Sequence, residues 1–269
     1  MRFEKIPLSS TDESVYMDAY IADRVGDFTR KALLVIPGGG YNNVCSNREG
    51  EPIAMAFMPH GYNAFVLHYT VGRKQPFPVQ LIEVARAIKH IKDHAEEYNI
   101  DSNAVFTVGF SAGGHLAASS GVLWKLPEVQ AAVDMPYGYN KPTGVMLIYP
   151  VISPQYKQHF KSFRNMWCTD TPEGEQLNRS AIEQHVDEDS APAFIMHTAN
   201  DQTVDVRNAL SVALAYSNAN VPYEMHIYPD APHGAALANR ITECGNPKVN
   251  NPSIAEWVKL AANWAETIK

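Results

Sequence analysis

Ala104-Val105-Phe106-Thr107-Val108-Gly109-Phe110-Ser111-Ala112-Gly113-Gly114-His115-Leu116-Ala117 is the stretch from which the rest of the chain can be read. Its first seven residues are mostly apolar and read as a strand. Its last seven are small or helix-compatible and read as the start of a helix. Between them, Gly109-Phe110-Ser111-Ala112-Gly113 matches G-x-S-x-G. With Gly and Ser near 7% each, a bare match arises by chance in a chain of this length roughly one time in ten. The strand before it and the helix after it make it far more specific. A serine presented on a sharp strand-to-helix turn needs small flanking residues, because side chains there would strike the neighbouring elements. The helix start also directs partial positive charge at the serine, where negative charge would develop. The alternative is a Gly-rich turn with an idle serine.

On either side of this junction, short apolar runs alternate with helical patterns. That is the signature of a mainly parallel sheet covered by helices on both faces, an α/β doubly wound architecture. Val15–Ile21 reads as an early strand, antiparallel at the edge. Ala32–Ile36 is a continuous apolar run, as expected of a strand buried on both faces. Glu51–Met58 suggests a short helix and Ala64–Leu67 the next strand. Val79–Tyr98 carries Val79, Ile82, Ala85, Ile88 and Ile91 at helical spacing. Val145–Ile148, Phe194–His197 and Glu224–Tyr228 are further strands, and Val204–Asn218 and Ile254–Ile268 further helices. The expectation is one domain over 1–269. Within it, 153–190 is irregular and is either a small cap inserted between two core strands or one surface helix with long loops.

Pro37-Gly38-Gly39-Gly40-Tyr41 follows the first buried strand. Three consecutive glycines are costly in backbone entropy. They make sense where the chain must approach a ligand and aim N–H groups at an oxygen. With the residue after the serine, the candidate donors to an oxyanion are Gly39, Gly40 and Ala112. A phosphate loop is the rival, but neither G-x-x-x-x-G-K-[ST] nor G-x-G-x-x-G is present.

The chain order that accompanies a serine elbow in an α/β-hydrolase is Ser, then Asp or Glu, then His. Order removes His60, His68, His90, His94 and His115 as the base. His159 and His185 fall in the irregular stretch, and His197 and His226 sit on strands, where a structural role is expected. His233 lies in Asp230-Ala-Pro-His-Gly234, a turn-rich loop after the last strand, and is the candidate base. Asp201 follows the strand Phe194–His197 and is the candidate acid, since residues leaving the carboxyl ends of parallel strands share one crevice. Asp205 is the competitor, with a first-turn helix position as its other reading. A serine hydroxyl is a weak nucleophile until a base takes its proton, and a carboxylate holds the imidazole in the useful tautomer.

Bulk properties exclude other classes. The net charge of −7 argues against a nucleic-acid partner, which would require a basic patch. No run of about eighteen apolar residues is present, so no membrane span is expected. The N-terminal stretch lacks the apolar core of a signal peptide, which points to a cytoplasmic protein. Cys45, Cys168 and Cys244 are too scattered for a zinc site or disulfide framework, and buried free thiols are expected. No H-E-x-x-H or ligand-spaced cluster suggests a metal, and no cofactor is implied.

Taken together, Pro37-Gly-Gly-Gly-Tyr41, Arg48-Glu-Gly-Glu-Pro-Ile-Ala54, the Ser111 motif, His197-Thr-Ala-Asn-Asp-Gln-Thr-Val204 and Pro232-His-Gly234 resemble bacterial acetyl esterases. These are related to acetyl xylan and feruloyl esterases and, more distantly, to hormone-sensitive-lipase-like esterases. The resemblance runs from about Ala32 to the C-terminal helix. Pro37 stands where the lipase branch usually carries His, and Phe110 where many of its members carry Asp or Glu, which weakens any transfer of lipid specificity. The resemblance implies a small acyl pocket, short-chain esters, acetylated sugars among the substrates and, as an open possibility, a homo-oligomer. Tyr41, Arg48 and Trp167 are candidates to line the pocket or bind a sugar, with a structural role the alternative for each. A serine amidase or peptidase on the same fold, and a non-catalytic binding homologue, are the competing functions.

Overall fold

A computed structural model describes residues 1–156 and 158–268. Eight strands form one sheet in the order β1-β2-β4-β3-β5-β6-β7-β8. They are β1 (Arg2–Pro7), β2 (Tyr16–Ile21), β3 (Arg30–Ile36), β4 (Tyr62–His68), β5 (Ile100–Phe110), β6 (Gly144–Ile148), β7 (Ala193–Thr198) and β8 (Tyr223–Tyr228). The first two pair antiparallel with their neighbours, and β4 through β8 run parallel. The chain is therefore an α/β-hydrolase fold. The expected early strand is present, but β1 lies outside it, so β2 is not the edge. Arg2–Pro7 escapes sequence reading because half-exposed charged residues alternate there with few apolar ones.

Alternation along the strands builds two cores. Ala32, Leu34 and Ile36 face one side of the sheet and Leu33 and Val35 the other. The first side is covered by α3 (Val79–Asp93), α5 (Ala112–Val122) and α9 (Arg207–Asn218), the second by α2 (Glu51–Phe57) and α11 (Trp257–Thr267). Both faces are buried, and the central strands are largely apolar on both, as parallel sheets require. The remaining helices are short: α1 (Ser46–Glu49), α4 (Ala95–Tyr98), α6 (Pro127–Ala132), α7 (Lys161–Met166), α8 (Glu175–Ser180) and α10 (Pro252–Ala255).

The single helix expected over Val79–Tyr98 is split at His94, whose backbone (φ −104°, ψ 20°) leaves the helical region. The one expected over Ile254–Ile268 is likewise split into α10 and α11. Among the described residues no helix is long and apolar enough to cross a membrane. The three cysteines are free, but Cys45 and Cys168 are only half-buried and Cys244 is exposed, against the expectation of burial.

Strand order places the functional loops. β3 has β4 on one side and β5 on the other, so the chain reverses its direction of travel across the sheet there. Loops leaving the carboxyl ends of β3 and β5 diverge and leave a crevice, the usual ligand position in such sheets. The glycine loop after β3 and Ser111 after β5 both open into it.

Candidate active site

Ser111 occupies the turn between β5 and α5 with φ 53° and ψ −117°, a conformation that costs a non-glycine residue about 1–3 kcal/mol. The packing that enforces it is tight. A Cβ at Gly109 would lie 2.2 Å from the Gly113 carbonyl oxygen, and one at Gly113 would lie 2.2 Å from that of Ile36. Strand, turn and helix thus touch backbone to backbone, and the serine is pushed out at the top.

Ser111 Oγ donates to His233 Nε2 at 2.9 Å, and His233 Nδ1 donates to Asp201 Oδ2 at 2.6 Å. The structure therefore brings together all three residues singled out from chain order. Asp201 is buried and held from several sides. Its Oδ1 accepts from the N–H groups of Thr203 (2.8 Å) and Val204 (2.9 Å). Burial pushes its carboxyl up, but hydrogen bonds from His197 and His233, with the Val204 N–H, outweigh this and hold it well below the usual carboxylate range. Asp205 instead turns to its own helix, accepting from the Arg207 N–H at 2.9 Å. The loops after β7 and β8 are tied to each other through Thr198 Oγ1 donating to the Ala231 carbonyl (3.3 Å) and Ala199 N–H donating to the Tyr228 carbonyl (2.8 Å). Acid and imidazole are thereby set on one scaffold.

The glycine loop turns back over Ser111. Gly39 has φ 129° and Gly40 φ 63°, values that L side chains rarely adopt. The Gly39 carbonyl accepts from Asn42 and Asn43, which closes the turn. Among the described residues, no carbonyl or side-chain oxygen accepts from the N–H groups of Gly39, Gly40 or Ala112. Gly39, Gly40, Ser111 and His233 line a cavity of about 270 Å³. Ala112 is fully buried at the first position of α5, directly behind the serine.

The three candidate pocket residues part company. Arg48 lines the cavity, and its guanidinium lies against Gly234, where a Cβ would be 2.9 Å away. Tyr41 does not line it. The ring is 1% exposed, and its hydroxyl donates to Nδ1 of His115 at 2.9 Å. His115 in turn donates from Nε2 to the Ser180 carbonyl at 3.0 Å, and burial pushes its imidazole down to about 4. Trp167 is also turned away. Its Nε1–H donates to Ser180 Oγ at 2.9 Å and its ring packs on Phe77. Both aromatics fasten the segment between β6 and β7 to the core. Their large apolar area explains the burial.

Sequence reasoning missed the residues that this segment adds. His159, Lys161 and Asn165 line the cavity. His159 Nδ1 shares a 2.6 Å hydrogen bond with Ser162 Oγ. Asn165 donates from Nδ2 to the Gly40 carbonyl at 2.8 Å and accepts from Arg73 Nε at 3.2 Å. The segment holds two short helices with loops, α7 and α8, rather than one surface helix. His197 was expected to be structural. It is fully buried, donates from Nε2 to the Val204 carbonyl at 2.9 Å, and stands 3.4 Å from Asp201 Oδ2. Its spacing of four residues before the acid was the one available signal. Glu49, on α1, was not singled out either, although it lines the cavity and is 1% exposed. Among the described residues no group of three or more His, Cys, Asp and Glu could hold a metal.

Comparison with known proteins places this geometry. The BD-FAE family model matches residues 17–216. The chain is 36% identical over 221 residues to an endo-1,4-beta-xylanase B of Butyrivibrio fibrisolvens, covering 79% of this chain and 34% of that protein. It is 28% identical over 212 residues to an acetylxylan esterase of Xylanibacter ruminicola, covering 76% of this chain and 41% of that protein. The chain thus spans well under half the length of these two relatives. Among solved structures, an acetyl ester-xyloside bifunctional hydrolase from Caldicellulosiruptor lactoaceticus aligns with TM-score 0.84 at 30% identity, over 99% of this chain and 97% of that one. A carboxylesterase from Lactobacillus plantarum aligns with TM-score 0.85 at 27% identity, over 99% and 98%.

Proposed function

The chain belongs to the BD-FAE family, and from that premise we propose that it is a serine esterase that hydrolyses short acyl esters, acetyl above all, carried on carbohydrates. The observation that carries the reading is the continuous line of hydrogen bonds from Ser111 Oγ through His233 to Asp201, opening on a cavity floored by uncommitted backbone N–H groups.

In this reading His233 Nε2 takes the Ser111 proton as Oγ attacks the acyl carbon. The Asp201 carboxylate stabilises the imidazolium and fixes its tautomer without itself taking the proton. The N–H groups of Gly39, Gly40 and Ala112 receive the negative oxygen of the tetrahedral intermediate, each worth about 3–4 kcal/mol of transition-state stabilisation. His233 then protonates the departing alcohol, leaving the acyl group on Ser111. Water, deprotonated by the same imidazole, releases the acid and restores the serine.

The cavity wall supports a carbohydrate alcohol. Asn42, Asn43, Arg48, His159, Lys161 and Asn165 face it, a set of donors and acceptors suited to hydroxyl groups rather than to an acyl chain. The names of the xylan-directed relatives support the same substrate class.

The test is hydrolysis of p-nitrophenyl acetate and octanoate, together with acetate release from acetylated xylo-oligosaccharides, by the parent and Ser111→Ala. The expected result is acetate turnover that far exceeds octanoate turnover and vanishes in the variant. No turnover of any ester by the parent, or equal turnover by the variant, would refute the reading.

A further inference from the structure

We infer that Glu49 is a positioning residue that locks the oxyanion loop and the His233 loop into a single unit. The inference deepens the serine-esterase reading and rests on it. Glu49 ends α1 and is 1% exposed. A buried carboxylate is expensive unless its oxygens are satisfied, and these are. Oε2 accepts from the Gly38 N–H at 2.8 Å, and Oε1 accepts from the Tyr149 hydroxyl at 3.0 Å. The Arg48 guanidinium stands 3.4 Å from Oε1.

Each partner leads to a different half of the site. Gly38 opens the glycine loop. The peptide joining Pro37 to Gly38 is clamped at both ends, its N–H by Glu49 and its carbonyl by the Tyr69 hydroxyl at 2.8 Å. That plane sets the direction of the next two, which carry the free N–H groups of Gly39 and Gly40. There is no slack: a Cβ at Gly38 would lie 2.6 Å from the Phe110 carbonyl oxygen, 2.8 Å from Glu49 Oε2 and 3.1 Å from Ser111 Cβ. The carboxylate therefore sets how closely the loop approaches the serine.

Tyr149 leads to the other half. It follows β6, and its hydroxyl accepts from the Ala236 N–H at 3.0 Å while its ring meets the His233 ring edge-on at 5.0 Å between centroids. The relay runs from the Gly38 N–H through both oxygens of Glu49 and the Tyr149 hydroxyl to the Ala236 N–H, three residues beyond His233. Displacement of either end by an ångström misplaces donors whose value depends on preorganisation.

The test uses Glu49→Gln and Tyr149→Phe. An amide has one acceptor oxygen, so a Glu49→Gln side chain that still accepts from the Gly38 N–H can only donate toward the Tyr149 hydroxyl, which reverses that link and leaves the hydroxyl's own hydrogen without its acceptor. Tyr149→Phe keeps the Gly38 link and removes the other. For p-nitrophenyl acetate, with rates normalised to active sites titrated by a phosphonate, Glu49→Gln should lower kcat about 10- to 100-fold with KM within about threefold. Tyr149→Phe should lose less. The diagnostic readout is a trifluoromethyl ketone, which adds to the serine as a tetrahedral oxyanion. Its Ki should weaken in step with the fall in kcat/KM. Normalised kcat within twofold of the parent in both variants, or a kcat loss with unchanged Ki, would overturn the inference. If Glu49→Gln does not fold, the Tyr149→Phe result decides alone. A parent inactive on esters, or an active Ser111→Ala, would instead break the underlying reading, so the two failures are distinguishable.

Discussion

Two regions meet at the cavity and are built differently. The strand ends supply Ser111, Asp201 and His233, each following a parallel strand, with Ser111 and Asp201 held by backbone hydrogen bonds and His233 held between them by its ring nitrogens. The segment between β6 and β7 supplies His159, Lys161 and Asn165 from short helices and loops. It is fastened to the core by buried side chains, Ile152, Phe163, Met166 and Ile182 among them, by His115 Nε2–H donating to the Ser180 carbonyl at 3.0 Å, and by Asn208 Oδ1 accepting from the Ile152 and Ser153 N–H groups at 2.8 and 3.0 Å. The contrast suggests a division in which the sheet carries bond chemistry and the inserted segment carries recognition and support, as is common where rigid scaffolds present variable loops.

The sharpest way to break that division is at the acid. Asp201→Asn should lower kcat by about 10⁴ with little change in KM, since the imidazole loses its fixed tautomer; steady-state kinetics on p-nitrophenyl acetate check it. A comparable loss from any residue of the β6–β7 segment would erase the distinction. Asn165→Ala comes next. Without its bond to the Gly40 carbonyl, the oxyanion loop loosens, and kcat should fall about 10-fold. His159→Ala should be milder still and of another kind. It should raise KM for acetylated xylo-oligosaccharides about 3- to 10-fold, with a smaller effect on p-nitrophenyl acetate, which has no sugar hydroxyls for the imidazole to bind.

The smallest effect on catalysis, though not on stability, is expected at His115. Its folded imidazole titrates near 4, below the unfolded value of about 6.5. Between these values the unfolded chain binds more protons, so stability is full above about pH 6.5 and is lost as pH falls toward 4. The loss should be on the order of 3 kcal/mol. Urea unfolding at pH 7 and pH 4.5 reads it, and His115→Gln, which can still donate to the Ser180 carbonyl, should flatten the dependence. An unchanged slope in the variant would assign the pH effect to other groups.

What was legible in sequence follows the same line. The central strands announced themselves because burial on both faces demands uninterrupted apolar runs, as in Ala32–Ile36 and Val145–Ile148. The trio Ser111, Asp201 and His233 was legible because chain order and loop position constrain it. β1 was not, since an exposed edge strand needs no apolar pattern. The cavity residues of 153–190 were not, because a polar side chain on a short helix looks the same facing solvent or substrate. Tyr41 and Trp167 show the converse: an aromatic beside a motif can be bound to the core just as well as to a ligand. Glu49 was invisible because its significance lies in Gly38 and Tyr149, the latter a hundred positions away.

One feature of the elbow bears on how such a protein can change. Ser111 sits at φ 53°, where glycine rests without strain and every other residue is penalised. Selection for a sturdier fold alone would therefore favour Ser111→Gly and extinguish activity in a single step, whereas Ser111→Ala would extinguish activity and gain no relief. Under the proposed serine-esterase reading, robustness and turnover are drawn from the same residue and pull it in opposite directions.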